Sequence, residues 1–357
     1  MKILADASLP GLLQAFPSPF EITLYHKADE IPSRLQDQEI LLCRSTLKVN
    51  DTLLKGHSLR YIATASSGTD HIDKKYLYDQ GITLIDAKGS NAIAVADYVI
   101  ATLAFLQKYN DFYGTKAGII GVGEVGTKVR ARLTATGMDI ACYDPPKAEQ
   151  DLNFSSCSFD ALTQCDLICI HANLHNESSY PTRNLLDKNF LGQLKDHVVI
   201  INASRGGIVN EEALLQQRNS LVYCTDVYNN EPAISPDIIN FATLCTPHIA
   251  GHSIEAKYAA VALISQKLSA CYQLSPCSLT AIAQEQPIIL PGNSCWQDSV
   301  LDLYNPVHET ILLKRADNLA LAFQKLRKAH KNRHNFCIHD VRFISKQTRK
   351  ILGYQNC

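Results

Sequence analysis

The chain has 357 residues, 46% of them hydrophobic and 19% charged, with a formal net charge of −1 and a sequence pI near 6.8. That length exceeds one small core and implies two or three domains. The charge balance supplies no overall field for holding nucleic acid or an anionic membrane, and no apolar run approaches the ~18–20 residues that span a bilayer.

The N-terminus, MKILADASLP, reads as a short strand and a turn, without the longer apolar run and small-residue cleavage site of a secretory signal. From there a short β-rich run alternates with a helix-like segment. KILAD is followed by LPGLLQAF, EILLCR by NDTLLKG, and RYIATAS by DHIDKKYLYDQG, before ITLID. Each apolar run is short and nearly continuous, which predicts strands covered on both faces. Alternation of this kind predicts parallel βαβ units. A long apolar helix is expected over 91–110, its apolar run interrupted by Asp97. A second series of βα units then runs through AGIIGVGEVG, DIACYD, DLICIHA, HVVIINAS, LVYCTDVY and ATLCTPHIA. A second long helix is expected over 254–273. The two helices would carry the chain across to a second domain and back, giving two nested doubly wound α/β domains. Residues 274–299, with SPCS and QPIILPGNS, read as an irregular connection. Helix-like sequence over 307–333 ends in the basic run KLRKAHKNRH, and NFCIHDVRFIS is expected as a strand. These form a small third domain.

Twelve cysteines are present, none in a C-x-x-C pair, and most lie in apolar runs such as ILLCR and LVYCTDV. They are expected as free thiols packed like small hydrophobes, which fits a reducing cytoplasm.

Gly121-Val-Gly123-Glu-Val-Gly126 fits G-x-G-x-x-G, preceded by the apolar run AGII and followed by a helix-like segment. That context is what a dinucleotide-binding turn requires. Gly121 makes the tight turn, Gly123 lets the backbone approach a pyrophosphate, and Gly126 lets helix and strand pack closely. The helix N-terminus supplies N–H donors for phosphate. The next strand ends at Asp144, eighteen residues after Gly126. An acid there accepts hydrogen bonds from the adenosine ribose and repels a 2′-phosphate, so NAD is expected over NADP.

Three later strand ends carry reactive side chains. INASRGGIVN places Arg205, TDVYNNEP places Asp226 and Glu231, and TPHIAGHS places His248. In an open α/β sheet such ends converge on one crevice. The constellation reads as hydride transfer from a 2-hydroxy acid. Arg205 grips the carboxylate. His248 takes the hydroxyl proton, and Glu231 orients the imidazole and stabilises its cation. His248 and His252 stand four residues apart, but Pro247 and Gly251 disfavour one helix across them and no further ligand completes a set. No metal is expected.

The glycine turn together with NASRGG, DVYNNEP and TPHIAG resembles the D-isomer-specific 2-hydroxyacid dehydrogenases. CRSTLKVNDTLLKG, IATASSGTDHID, GSNAIAVADYV, CYDPPK and the C-terminal FQKLRK narrow the likeness to the erythronate-4-phosphate dehydrogenase branch. It covers nearly the whole chain. The resemblance implies a flavodoxin-like substrate domain (1–92 and 251–278), a Rossmann NAD domain (93–250) and a small α+β C-terminal dimerisation domain (279–357), acting as a cytoplasmic homodimer. It implies oxidation of 4-phospho-D-erythronate with NAD, in pyridoxal phosphate biosynthesis. The family's catalytic residues fall on Arg205, Glu231 and His248. Its substrate contacts fall on Ser45, Ser66 and His252. Its cofactor contacts fall on Gly121, Gly123, Glu124, Val125, Gly126, Asp144, Ala172, Ala203, Asp226 and Gly251. The chain departs from the family pattern at three of these: Ser66 stands where the family often has Thr, Ala172 where it often has Thr, and His252 where it often has Tyr. Arg44, beside Ser45, is the first candidate to receive the substrate phosphate, and Arg327 or Arg333 the second. Two alternatives accompany this reading: another D-2-hydroxyacid dehydrogenase of glycerate or phosphoglycerate type, and a non-catalytic NAD-sensing protein on the same fold.

Overall fold

A computed structural model describes residues 1–176, 179–217, 220–275, 277, 290, 295–330, 333–339 and 344–354. The chain divides into two compact units: Met1–Asn91 with Ser253–Glu285, and Ala92–His252 with Gln286–Cys357.

The first unit holds a parallel sheet of β1 (Lys2–Asp6), β2 (Glu21–Tyr25), β3 (Ile40–Cys43), β4 (Tyr61–Thr64) and β5 (Thr83–Asp86), in the order β2-β1-β3-β4-β5. That is the flavodoxin-like order. Successive side chains alternate between two cores. Ile3, Ala5, Ile40 and Leu42 face one, with Ala260, Val261, Ile264 and Leu268 of the helix Ile254–Cys271. Leu4, Leu41, Cys43 and Ile62 face the other. Burial on both faces is why these strands read as continuous apolar runs. Sequence reading missed β2. It is an edge strand with a mostly exposed pattern, only Tyr25 of its five residues being buried, so it carries no apolar run.

The second unit holds β6 (Lys116–Ile120), β7 (Asp139–Tyr143), β8 (Leu167–Ile170), β9 (Val199–Asn202), β10 (Val222–Thr225) and β11 (Leu244–Cys245), parallel and in the order β11-β10-β9-β8-β6-β7. The third strand of a Rossmann half, beyond β7, is reduced to one backbone bond from Cys157 N to Cys142 O. The helix Ala92–Tyr109 lies in one of the two cores of this sheet. It is long and apolar enough to cross a membrane, but most of it is buried in the fold. Its Asp97 is fully buried against Arg132 of the helix Glu124–Ala135. The pairing explains how an acid sits inside an apolar helix. The helix stops where Asp111 turns left-handed (φ 48°) and Phe112 N returns to Leu106 O.

The described C-terminal residues lie on this second unit. Trp296–Leu303 meets the helix Ala92–Tyr109 through Gln297 and Gln107 and through Asp298 and Lys108. Val307–Lys314 covers the edge strand β11, where the Thr310 hydroxyl accepts from Cys245 N and also lies 3.0 Å from Cys245 O. A covered edge does not recruit foreign strands. The helix expected over 307–333 is two helices, Val307–Lys314 and Leu319–Ala329, because the Asn318 side chain caps a new start on Leu321 N. Within the segment expected as a strand, Phe336–Ile338 is a 3₁₀ turn, and residues 340–343 lie outside the described residues. Among the described residues ten cysteines carry no disulfide, but Cys337 is disulfide-bonded, a departure from the expected thiols that no sequence spacing signalled.

Candidate active site

Register explains why distant sequence motifs share one edge of the second sheet. Tyr143, Ile120, Ile170, Asn202, Thr225 and Cys245 lie in one row across it. Gly121, Asp144, Ala172, Ala203, Arg205, Asp226 and His248 all follow that row by one to three residues, so every one leaves the carboxyl edge.

The glycine turn sits at the point where the strand order reverses, between β6 and β8. Gly121 has φ +84°, and a Cβ there would meet the backbone of His171 and Ala172. A Cβ on Gly126 would overlap Gly121 O, so both positions exclude larger residues. Nothing stands within 4 Å of a Cβ on Gly123, which leaves that peptide open to a ligand. The helix Glu124–Ala135 begins there with no side-chain cap, its first N–H groups facing the turn, and Val125 follows Glu124 in its first turn. Asp144 accepts from Val122 N (2.7 Å) and Lys147 N (3.1 Å), which holds its carboxylate beside the turn. Glycine turn, open helix end and acid together fit a bound dinucleotide.

At the other strand ends, His248 Nδ1 lies 2.7 Å from Glu231 Oε2. Glu231 Oε1 accepts from Tyr228 N at 3.0 Å. Burial pushes the Glu231 carboxyl up, but the His248 bond and charge, the Tyr228 N–H and Arg327 outweigh it and hold it below its ordinary value. His248 itself has a left-handed backbone (φ 55°), uncommon outside glycine although His, like Asn and Asp, enters it more readily than most. Asp226 secures that turn. Its Oδ1 accepts from Ile249 N (2.7 Å) and Thr246 Oγ1 (2.7 Å), and its Oδ2 from Ala250 N (2.8 Å). Expected as a cofactor contact, Asp226 is buried and engaged by the turn that leads to Gly251. Thr246 Oγ1 also lies 2.9 Å from Tyr98 Oη. Its single proton goes to the carboxylate, so Tyr98 donates. Arg205 Nη1 donates to Ser204 O (2.7 Å), and Asn202 shapes the turn through Arg205 O and Ser204. Ala203 begins this turn. His252 packs its ring 6.4 Å from that of His330. His248 and His252 therefore have separate neighbours.

The first unit presents its own strand ends. Cys43, Thr64 and Asp86 share a row, and Arg44, Ser45 and Ser66 follow it. Arg44 Nε donates to Asp6 Oδ2 at 2.8 Å, across the reversal point between β1 and β3. Ser45 is exposed. The Ser66 hydroxyl donates to Gly68 O (2.9 Å) and lies 2.7 Å from Thr64 Oγ1.

Comparison with known proteins agrees with these features. Residues 101–250 match the D-isomer specific 2-hydroxyacid dehydrogenase, NAD binding domain. The chain is 57% identical over 337 residues to erythronate-4-phosphate dehydrogenase of Legionella pneumophila (strain Philadelphia 1), covering 94% of this chain and 95% of that one. The chain belongs to the erythronate-4-phosphate dehydrogenase family. Another member, from Coxiella burnetii, is 34% identical over 87% of this chain and 86% of its own. In fold the chain is similar to NAD-bound 3-phosphoglycerate dehydrogenase of Entamoeba histolytica, with TM-score 0.64 and 24% identity over 76% of this chain and 95% of that one. It is thus an NAD-dependent dehydrogenase.

Several residues that shape this family member's site were not expected. Tyr228 is buried, and its hydroxyl donates to Thr246 O at 2.9 Å, so it joins the Glu231 turn to the His248 turn. Phe323, from the helix Leu319–Ala329, packs edge-on against it at 6.0 Å. Arg333 donates to Ala94 O and Ala250 O; expected as a second receiver of phosphate, it is 7% exposed and directed at main chain. Lys147 Nζ donates to Val122 O at 2.9 Å, beside the glycine turn. Tyr228, Phe323 and Arg333 form no local motif for these contacts, and Lys147 lies within CYDPPK.

Proposed function

We propose that this enzyme oxidises 4-phospho-D-erythronate at C2 with NAD, giving (R)-3-hydroxy-2-oxo-4-phosphooxybutanoate, a step of pyridoxal phosphate biosynthesis. The observation that carries the chemistry is the 2.7 Å pair of His248 Nδ1 and Glu231 Oε2. NAD, when bound, supplies the hydride acceptor. Because Nδ1 is committed to Glu231, His248 Nε2 is the nitrogen that takes the hydroxyl proton. Glu231 stays anionic and stabilises the imidazolium that forms. Arg205 grips the substrate carboxylate with its guanidinium fork.

Peptides of Gly121, Gly123, Glu124, Val125 and Gly126 hold the pyrophosphate, and Asp144 accepts from the adenosine ribose. Ala172, Ala203 and Gly251 present backbone to the cofactor, while Asp226 shapes the turn before Gly251. Ser45, Ser66 and His252 contact the substrate. Arg44 receives its phosphate, since Asp6 holds only Nε and leaves the Nη groups to donate. The chain works as a cytoplasmic homodimer through its C-terminal segment, whose exposed Ile311, Leu312 and Leu321 offer apolar surface.

NADH formation is measured in parallel with 4-phospho-D-erythronate, D-glycerate and 3-phospho-D-glycerate. The phosphoerythronate is expected to turn over fastest. Faster oxidation of either three-carbon acid overturns the substrate assignment, and so does no oxidation of any of the three.

A further inference from the structure

Arg333 is a buried guanidinium directed at main chain. Its Nη2 donates to Ala94 O (3.1 Å) and Ala250 O, and its plane lies over the Tyr304 ring at 4.7 Å. A guanidinium does not lose its charge on burial, and the cost of burying it is offset here by the two carbonyls and by buried Asp97, which feels its charge. Through Ala94 O it is one of several contacts that dock the C-terminal segment. Phe336 N is held by Asp97 Oδ2, and the helices around Trp296 and Thr310 have their own contacts.

What Arg333 touches is the middle of the histidine turn. Ala250 lies two residues after His248 and two before His252. The amides of Ile249 and Ala250 are already taken by Asp226. The turn is therefore clamped between a buried anion on its N–H groups and a buried cation on its carbonyl. His248 needs such a clamp, because its left-handed backbone persists only where surroundings over-determine it. From the same segment, His330 packs its ring against that of His252 and holds Glu309 Oε1 at 3.3 Å. Arg333 Nε and Nη1 have no partner among the described residues. Arg333 lines a cavity of about 410 Å³ together with Tyr304, His308, Glu309 and His330.

We propose that Arg333 is a positioning residue for hydride transfer, the latch by which the C-terminal segment fixes the turn carrying His248. This rests on His248 being the proton acceptor.

The test uses full-length Arg333→Ala and Arg333→Lys, assayed with whichever acid the wild type oxidises, so an error in the substrate leaves the result readable. Turnover at saturating substrate and NAD is expected to fall ~10–100-fold in Arg333→Ala, the scale of a misplaced reacting group. KM for NAD should change far less. Millimolar guanidinium, entering through the cavity, should restore turnover several-fold in Arg333→Ala and leave wild type unchanged. Arg333→Lys should lie between the two. Wild-type turnover in Arg333→Ala overturns the proposal. So does a loss that guanidinium does not recover in protein still folded by circular dichroism. If Arg333→Ala does not fold, Arg333→Lys decides: unchanged turnover and an unchanged pH profile of kcat overturn the proposal, and a lower kcat with a shifted profile supports it.

Discussion

The glycine turn at 121–126 and the histidine turn at 246–252 leave the same edge of one sheet, yet different parts of the chain hold them in shape. The first is closed largely by its own residues: Gly121 takes the positive φ, Gly126 makes room for Gly121 O, and two bonds from one neighbouring turn, Val122 N to Asp144 and Lys147 Nζ to Val122 O, steady it. The second has no glycine at its left-handed position. His248 is held there by Asp226, by Tyr98 through Thr246, and by Arg333 on Ala250, residues 20, 148 and 83 positions away from their partners. A turn that only has to bind a common ligand can be written locally. A turn that must also aim an imidazole needs support from outside itself.

If the glycine turn binds and the histidine turn reacts, damage to each should separate the two functions. The largest effect is expected from His248→Asn. Turnover should fall at least ~100-fold, the usual scale for losing a general acid/base, while NAD binding measured by titration stays near wild type. Loss of NAD affinity in step with turnover would merge the two turns into one site.

A smaller effect sharpens the other side. Asp144→Ala removes the acceptor for the ribose hydroxyls and the charge that repels a 2′-phosphate. Lys147, already at Val122 O, then stands beside the turn with no carboxylate opposing it. The ratio of kcat/KM with NAD to that with NADP should drop about tenfold, equivalent to about 1.4 kcal/mol, within the range of a lost charge-assisted contact. An unaltered ratio would remove Asp144 from the ribose.

The same contrast explains what could be read from the sequence. Strands covered on both faces betray themselves as apolar runs, so both sheets were legible except for β2, whose exposed edge position erases the pattern. The turn Gly121 to Gly126 and the Asp144 carboxylate beside it were legible because they follow adjacent strands β6 and β7. The Glu231–His248 hydrogen bond was legible as a pairing, since each stands past the end of a strand. Tyr98, Tyr228, Phe323 and Arg333 were not. Each acts through contacts to residues far away in sequence, and an isolated aromatic or an arginine in a basic run looks like any other. The sequence offered Arg333 only as a second candidate for the substrate phosphate, and its burial is a fact only of the folded chain.

The last effect is on stability rather than activity, and it separates two histidines on the one sheet edge. His248, after β11, has its Glu231 partner. His171, after β8, has both ring nitrogens shut off from solvent and without a partner among the described residues. Burial pushes its imidazole down to about 3, whereas an unfolded histidine titrates near 6.5. Between those values the unfolded chain binds a proton that the folded chain refuses, so stability rises with pH there. The contribution is fully present above about pH 6.5 and is lost as pH falls toward 3, reaching about 2 kcal/mol at pH 5. The chain's one tryptophan, Trp296, lies in the same unit and reports its unfolding by fluorescence. Urea midpoints at pH 7 and pH 5 should fall further for wild type than for His171→Leu. Comparing each protein with itself across pH cancels any packing difference between the two side chains. Equal pH losses in both would mean that His171 takes up its proton in the folded state, and the neutral histidine beside the glycine turn would have to be abandoned.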